Sequence, residues 1–529
     1  MSDETLNSSI TQVKVIEPNQ NEVKRAFISV FDKTGITDFA KNLHKLGIEI
    51  VSSGGTAKVI ADEGVPVTSV EELTGFPAML DHRVATLHPN VHAGLLADLA
   101  NQTHVDELNL HQIRPFQLIV NNLYPFSGKP GIENIDIGGP ALIRAGAKNY
   151  EWIGVVTSPT QYDAVISELN ENHSVLSGDF RWEMAIEAFA VTARFDAEVL
   201  NWLQLKREIP QHLVVPLELS RELRYGENPH QQAGWYVSAL RSNKGAQRDW
   251  LEDSTQHQGK ELSYINVLDM DAAQDLVENF NDPACVIVKH ANPCGVAVSE
   301  DVSKSYLLAF ECDSTSAFGG VVAFNCHVNE ECAELIVKKF TEVVLAPSFS
   351  DEAMEVLQKS KNLRVISSPN RYKAKWGIRS VGDGYLIQEN DDLDEGINTE
   401  RKNWEVVSKA QPDDDMLAQL EFAWKVCAHT SSNAIVIANN FQAVGVGAGQ
   451  QSRVHASKIA TEKAAHRATN GVCASDAFFP FRDGIDFVVD AGVKAIIQPG
   501  GSIRDDEVIE AANEHGIVMI FTGARHFRH

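Results

Sequence analysis

The chain has 529 residues, room for about three or four domains at a typical ~150 residues each. Its composition, 43% apolar and 22% charged, is that of a folded globular protein and excludes a disordered or fibrous one. Against 46 basic side chains stand 72 acidic ones, a net charge of −26 that repels nucleic acid and anionic membrane, so an anionic substrate must be held by a locally basic pocket.

In chain order, residues 1–24 are too polar for a signal peptide and read as a flexible extension. RAFISV (25–30) is an apolar strand, after which Ile36, Phe39, Ala40, Leu43 and Leu46 follow helical spacing up to Gly47. IEIVS (48–52) is the next strand, SSGGT (52–56) a turn, and a second helix runs to Gly64. LIVNN (118–122) and WIGVVT (152–157) continue the rhythm, which predicts a parallel sheet with helices on both faces. Helical patterns fill 159–206, and the proline-bearing stretch 207–220 reads as a linker. Beyond it ACVIVKH (284–290), GVVAFN (320–325), EVVLAP (342–347), LRVISS (363–368), NAIVIAN (433–439), KAIIQPG (494–500) and IVMIFT (517–522) predict two further α/β lobes, with no visible sequence repeat between them. DDLDEG (391–396) and PDDD (412–415) read as solvated acidic loops. The seven cysteines are odd in number, form no CxxC and are absent from the first 284 residues, which predicts reduced thiols and a cytoplasmic setting. No run approaches eighteen apolar residues, so no membrane span is expected.

Several short motifs invite chemistry. In SSGGT, backbone N–H groups at a helix start, unobstructed by Cβ atoms, suit a phosphate, and Lys33 and Thr34 stand at the same sheet end. A plain tight turn is the alternative. GVGAGQ (445–450) ends in Gln450 where a dinucleotide fingerprint needs glycine, so that reading is rejected. QPGGS (498–502) is either an anion nest or a simple turn. HANPC (290–294) is similar to part of a zinc-deaminase signature, but Asn292 replaces the glutamate and no second cysteine follows Cys294, so no zinc is expected. Lys289 and His290 end a buried strand, where a neighbouring ammonium would favour the uncharged imidazole that a general base needs. The terminal RHFRH (525–529) either frays or closes an anionic pocket.

Taken in order, ISVFDKTG, SSGGTA, TGFPAMLDHRVATLHPNVHAG, NLYPF, ENIDIGGPALIRAGAKN, RYGENPHQ, VKHANPCG, TSAFGG, GVGAGQQSRV, SDAFFPFRDGID and PGGSIRDDEVI resemble the bifunctional AICAR transformylase/IMP cyclohydrolase family. The resemblance runs from about residue 25 to His529 and implies a methylglyoxal-synthase-like α/β cyclohydrolase domain over 25–206. It further implies a transformylase part over 221–529 with two cytidine-deaminase-like lobes, and a homodimer with transformylase sites at the interface. The implied substrates are AICAR, its formylated product FAICAR and, as co-substrate, 10-formyltetrahydrofolate. Some relatives bind a structural potassium ion, for which this chain offers no side-chain signature.

For formyl transfer the resemblance makes His290 the general base, Lys289 the stabiliser of developing charge, Asn433 the formyl contact and His529 a chain-terminal site histidine. Arg224, Tyr225 and Arg525 match ribotide-binding positions, Glu342 stands where some members use aspartate, Arg453 matches a further substrate contact, and Phe478 and Phe479 lie in the motif of the folate pocket. For ring closure Tyr124, Asp136 and Lys148 match catalytic positions, Lys33, Gly54, Gly55 and Thr56 a phosphate cradle, and Arg83, Thr86 and Asn122 further contacts. The chain departs from the pattern at Ala85, which replaces a lysine, at His82 and Phe31, in a shortened loop after NLYPF, and at Ser431 and Asn439, where lysines are common. Those departures support a second reading, a transformylase with an impaired cyclohydrolase. A third, a non-catalytic ribotide sensor, has no use for Lys289, His290, Asn433 and His529 together.

Overall fold

A fully apolar run with helices packed on both sides gives a buried parallel sheet, and the first third of the chain follows that rule. The computed structural model describes residues 12–80, 83–240, 250–368, 376–391 and 401–529. The chain divides into two compact units, Met1–Glu218 with Ser238–Ala246, and Leu219–Val237 with Gln247–His529. Among the described residues no helix is long and apolar enough to cross a membrane.

In the first unit, β1 (Arg25–Val30) is followed by α1 (Ile36–Lys45), β2 (Glu49–Ser52), α2 (Gly54–Asp62), β3 (Thr68–Ser69), α3 (Val70–Thr74), α4 (Pro89–Leu96), α5 (Gln102–Leu110), β4 (Leu118–Asn122), α6 (Gly138–Lys148), β5 (Gly154–Val156), α7 (Tyr162–Glu171) and α8 (Gly178–Leu203). The five strands pair in parallel in the order β3-β2-β1-β4-β5. Alternate residues of β1 feed separate cores, Ala26, Ile28 and Val30 on one face and Phe27 on the other. α1 buries Ile36, Phe39, Ala40 and Leu43 at helical spacing. The expected flexible extension is tied down from Val13, which exchanges backbone bonds with the Asn109 side chain, to Val23, whose N–H donates to Ser174. Paired backbone groups explain that order; residues 1–11 lie outside the described residues.

In the second unit β6 (Leu217–Leu223) and β7 (Ala233–Ser238) form a ribbon. A first lobe then runs β8 (Thr255–Gln258), α9 (Tyr264–Val277), β9 (Ala284–Lys289), β10 (Asn292–Val298), α10 (Val302–Cys312), β11 (Val321–Phe324), α11 (Glu330–Ile336), β12 (Val343–Ala346), α12 (Asp351–Leu357) and β13 (Arg364–Ser367). A ribbon of β14 (Trp376–Val381) and β15 (Gly384–Glu389) separates it from the second lobe. That lobe is β16 (Glu405–Val406), α13 (Asp414–Ala428), β17 (Ile435–Asn439), β18 (Gln442–Gly447), α14 (Arg453–Ala464), β19 (Val472–Ser475), α15 (Asp483–Asp490), β20 (Ala495–Gln498), α16 (Asp505–His515) and β21 (Val518–Phe521). All twelve lobe strands join one mixed sheet, β16-β21-β20-β19-β17-β18-β10-β9-β11-β12-β13-β8.

Read outward from its middle, that order is the same on both sides, so the two lobes repeat one topology and meet where β10 pairs with β18 at Ala297 and Gln442. One face carries a core shared by both lobes, including Val286 and Val288 of β9 and Val436 and Ala438 of β17. On the other face each lobe has its own core. The repeat leaves little trace in sequence because it asks only for apolar and small residues. Its clearest mark is glycine under a helix: a Cβ on Gly295 would overlap the Ala309 carbonyl, and on Gly447 the Ala456 carbonyl. That packing, and not a dinucleotide, explains Gly447 and likewise Gly445, whose Cβ would overlap the Ala460 carbonyl, while Gly449 serves a turn at φ 65°. Gly447→Ala is expected to cost about 1–3 kcal/mol by pushing α14 off the sheet. A denaturant midpoint equal to that of the parent would contradict this.

Candidate active sites

In the first unit, the ends of β1, β2 and β4 form one rim, since Val30 pairs with Asn122 and Ile28 with Ser52. Asn122 Oδ1 accepts the N–H groups of Phe31 (2.7 Å) and Asp32 (2.9 Å), and its Nδ2 donates to the Asp32 carbonyl. The amide therefore moulds the loop after β1 and keeps one free N–H for a ligand. Thr56 likewise spends its hydroxyl on both backbone groups of Val30, leaving only its main chain for a phosphate. α2 has no side-chain cap, and a Cβ on Gly54 or Gly55 would meet nothing within 4 Å, so its first-turn donors face open space. Lys33 Nζ rests on the carbonyls of Val30 and Phe31, beside that space.

Asp136 sits just before α6 and accepts the Gly139 N–H at 2.9 Å, with Thr86 Oγ1 close to Gly138. Tyr124 is half exposed, and the ring of Phe31 lies against it with centroids 4.6 Å apart. Arg83 is clasped by both carboxylate oxygens of Glu133. Lys148 does not join this group: it occupies the last turn of α6, about 15 Å from the helix start at 1.5 Å per residue. There it complements the negative end of the helix dipole. His82 lies outside the described residues.

Burial raises the Asp136 carboxyl above its ordinary value, against N–H bonds from Gly139 and Gly138 that lower it. A raised value means that the fold holds the proton more tightly than the unfolded chain does. The stabilisation is complete below the unfolded carboxyl range and is lost as pH rises through the folded value. Asp136→Asn is therefore expected to raise the melting temperature at neutral pH and to leave it unchanged in strong acid. Thermal denaturation at both pH values checks this; a lower melting temperature at neutral pH would contradict it.

In the second unit the sheet register sets Lys289, Gly320 and Glu342 side by side, because Val288 pairs with Val321 and Val321 with Val343. Lys289 Nζ donates to the Phe318 carbonyl at 2.7 Å, and Phe318 and Phe340 form an exposed aromatic pair there. Glu342 pairs with the buried Arg364 at 2.8 Å, whose Nε reaches the carbonyls of Lys260 and Glu261. Arg224 donates its N–H to the next carbonyl, Leu262, and its guanidinium lies on the Tyr225 ring.

His290 occupies the two-residue turn between β9 and β10 and is exposed. Asn292 donates to the His290 carbonyl and accepts the Ser431 N–H at 2.9 Å, which brings the loop before β17 up to this turn. On that loop Asn433 gives Nδ2 to the Gln450 carbonyl and accepts from Arg453 Nη2 at 2.8 Å. Arg453 is itself buried, its Nη1 held by Asp476, Ser475 and the Ala434 carbonyl. It therefore supports Asn433 from beneath, and its burial leaves little of it to meet a substrate. Phe479 too is buried, in the second lobe's core, whereas Phe478 is partly exposed.

The chain terminus does not fray. Ser432 and Arg528 exchange two hydrogen bonds, Arg528 N–H to Ser432 Oγ at 3.2 Å and Ser432 N–H to the Arg528 carbonyl at 2.9 Å. Arg528 also pairs with Asp275, and His526 with Asp391 at 2.6 Å. Extended alternation then turns Arg525, Phe527 and His529 outward, with Arg525 4.3 Å over the Phe527 centroid and the Phe527 and His529 rings edge to face at 5.7 Å. The anion-nest reading of QPGGS fails for a different reason: the N–H groups of Gly501 and Ser502 are already taken by the Asp505 carboxylate. Cys294 is buried with its thiol pushed up to about 12, and among the described residues no group of three or more His, Cys, Asp or Glu could hold a metal.

Comparison with known proteins settles what carries these two sites. The family model for the AICARFT/IMPCHase bienzyme matches residues 146–463, more than half of the chain, and the MGS-like domain model matches residues 35–141. This chain belongs to the AICARFT/IMPCHase bienzyme family. It is an enzyme of the AICAR transformylase/IMP cyclohydrolase type, of purine biosynthesis, with an MGS-like domain at its N-terminal end. A solved structure, the crystal structure of ForH, is 30% identical over 34% of this chain and 97% of that chain, with a TM-score of 0.31. Sequence motifs missed the roles of Asp269, Asn292, Arg364 and Asp476, which hydrogen-bond to the turn, the loop and the side chains around Lys289, Asn433 and Glu342. Only Asn292 and Asp476 lay inside recognised motifs, and no spacing marked their partners.

Proposed function

We propose that this protein transfers a formyl group from 10-formyltetrahydrofolate to the 5-amino group of AICAR and then closes FAICAR to IMP with loss of water. The observation that carries the first step is the junction of the Lys289–His290 turn with the Asn433 loop through Asn292, and of that loop with the terminal segment bearing His529. The amine lone pair, delocalised into the imidazole carboxamide, attacks the formyl carbon while His290 takes a proton from nitrogen. Lys289 stabilises the oxyanion of the tetrahedral intermediate. As the intermediate collapses, the bond from carbon to the folate N10 breaks, and a proton passes to N10 to give tetrahydrofolate. Asn433 contributes its remaining N–H, and Arg224 and Arg525 meet the ribotide anion against a protein charge of −26.

Ring closure needs the carboxamide nitrogen to add to the formyl carbon and an oxygen to leave as water, work of orientation and proton traffic. Asp136, set before α6, and Tyr124 carry the proton traffic, and the first turn of α2 with Lys33 supplies the phosphate site. A second reading, transformylase with impaired cyclohydrolase, is favoured by Phe31 tilted against Tyr124, Arg83 clasped by Glu133, and Ala85 in place of a lysine. Supplying each substrate separately to one preparation tests both: formyl transfer with no closure of synthetic FAICAR above the spontaneous rate selects the second. An Ala85→Lys variant that gains closure activity would locate the impairment.

The exposed apolar residues Ile378, Tyr385 and Leu386 of the β14–β15 ribbon support a homodimer, since a lone two-stranded ribbon is marginal in water. The cysteines, all free and all buried except the half-buried Cys326, support a cytoplasmic setting.

A further inference from the structure

The turn that presents His290 is built against local preference. Asn292 pairs with Lys289 across it, so His290 and Ala291 are its two central residues, with φ of 54° and 56°. Such a hairpin turn asks for Asn-Gly or Gly-Gly, because a Cβ in the left-handed region crowds its own backbone. Neither glycine nor asparagine is present, so something outside the turn must hold it.

The second lobe repeats the arrangement. Asn439 pairs with Gln442, and Asn440 and Phe441 have φ of 51° and 59°. In each lobe the helix before the hairpin sends one side chain to the turn's N–H groups. Gln419 of α13 accepts the Asn440 N–H through Oε1 at 2.9 Å. Asp269 of α9, buried, accepts the Ala291 N–H at 2.6 Å and the His290 N–H at 3.4 Å. The device is thus a property of the repeated fold, and in the first lobe it carries a reactive pair.

We propose that Asp269 is a positioning residue for formyl transfer: its carboxylate fixes the left-handed His290–Ala291 turn and so aims the imidazole and the neighbouring Lys289. This rests on the assignment of formyl transfer to Lys289 and His290 made above. Asp269 touches no substrate. It acts by holding two backbone N–H groups, and a 1 Å misplacement of a reacting group is enough to cost about 10²-fold in rate.

The test measures kcat and the KM for AICAR on the full-length enzyme. Asp269→Ala is expected to lower kcat by about 10²-fold with KM unchanged. Adding Ala291→Gly, which removes the Cβ that makes the turn costly, is expected to restore most of that loss. Gln419→Ala breaks the equivalent bond in the lobe without the reactive pair and is expected to lower stability while kcat holds. Should Asp269→Ala fail to fold, Asp269→Asn keeps an acceptor for the Ala291 N–H and is expected to retain kcat. Full turnover in Asp269→Ala overturns the proposal. So does a loss that Ala291→Gly does not recover in a folded double variant, an equal kcat loss in Gln419→Ala, or a large kcat loss in Asp269→Asn. Absence of formyl transfer in the parent enzyme would instead remove the reading on which the proposal stands.

Discussion

Replacing His290 by alanine is expected to lower the kcat of formyl transfer by about 10²–10⁴-fold, the range a positioned general base contributes. The fold should be untouched. The side chain is exposed at the tip of a hairpin, and the backbone N–H it leaves behind still faces Asp269. AICAR affinity should stay near that of the parent, because Arg224 and Arg525 lie outside the turn. Ring closure of supplied FAICAR should also persist, since the residues read for it belong to the other compact unit. Steady-state kinetics of each half-reaction, with calorimetric AICAR binding, checks all three; undiminished formyl transfer would remove His290 from the mechanism.

Asp476→Ala is expected to be the most damaging single change to stability. The carboxylate is fully buried, takes a bond from Arg453 Nη1 and one from the Ser432 hydroxyl at 2.5 Å, and its carbonyl accepts the His526 N–H. Removing it strands a guanidinium in the core, a cost of about 3–5 kcal/mol, which is a large share of the ~5–15 kcal/mol that holds a typical protein folded. It also loosens Arg453 beneath Asn433 and the Ser432 hydroxyl that accepts the Arg528 N–H, so formyl transfer should fall further than the loss of folded protein explains. An Arg453→Met/Asp476→Leu double variant separates the two effects. Burying apolar groups in place of the ion pair is expected to recover stability, but not kcat, because Asn433 then lacks its support. Recovery of both would mean that the pair has no part in catalysis.

The second expectation turns on a group that motif reading placed differently. The resemblance makes Arg453 a substrate contact, whereas the structure holds it as a buried strut beneath Asn433. Phe479 and Phe478 are adjacent in sequence, and only their sides of the chain decide that one belongs to the core and the other to a surface. Lys148 and Asp136 share one motif, yet a helix of eleven residues holds them at its opposite ends. Motifs preserve spacing along the chain, which does not report the direction in which a side chain leaves it.

The buried strands β1, β2, β4, β5, β9, β11, β12, β13, β17, β20 and β21 were legible because a buried strand is largely apolar, and RAFISV and LIVNN match β1 and β4 residue for residue; the short or exposed β3, β6, β7, β8, β14, β15, β16 and β19 carry no such run. The antiparallel β10 and β18 were not legible either, since NPCGVAV and QAVGVG yield side-chain volume to let helices approach and so resemble turns or nucleotide loops. From residues alone came the alternating α/β class, the glycine-rich turn and the Lys289–His290 pair on which the proposed function rests, and the family. The repeat of one topology across a twelve-stranded sheet, the capture of the chain terminus by Ser432 and Asp275, and the carboxylates beneath the reactive turn were decided only in three dimensions. The physical reason is that these depend on hydrogen bonds between residues more than twenty and up to 253 positions apart, and no local pattern encodes which distant donor will satisfy a buried acceptor.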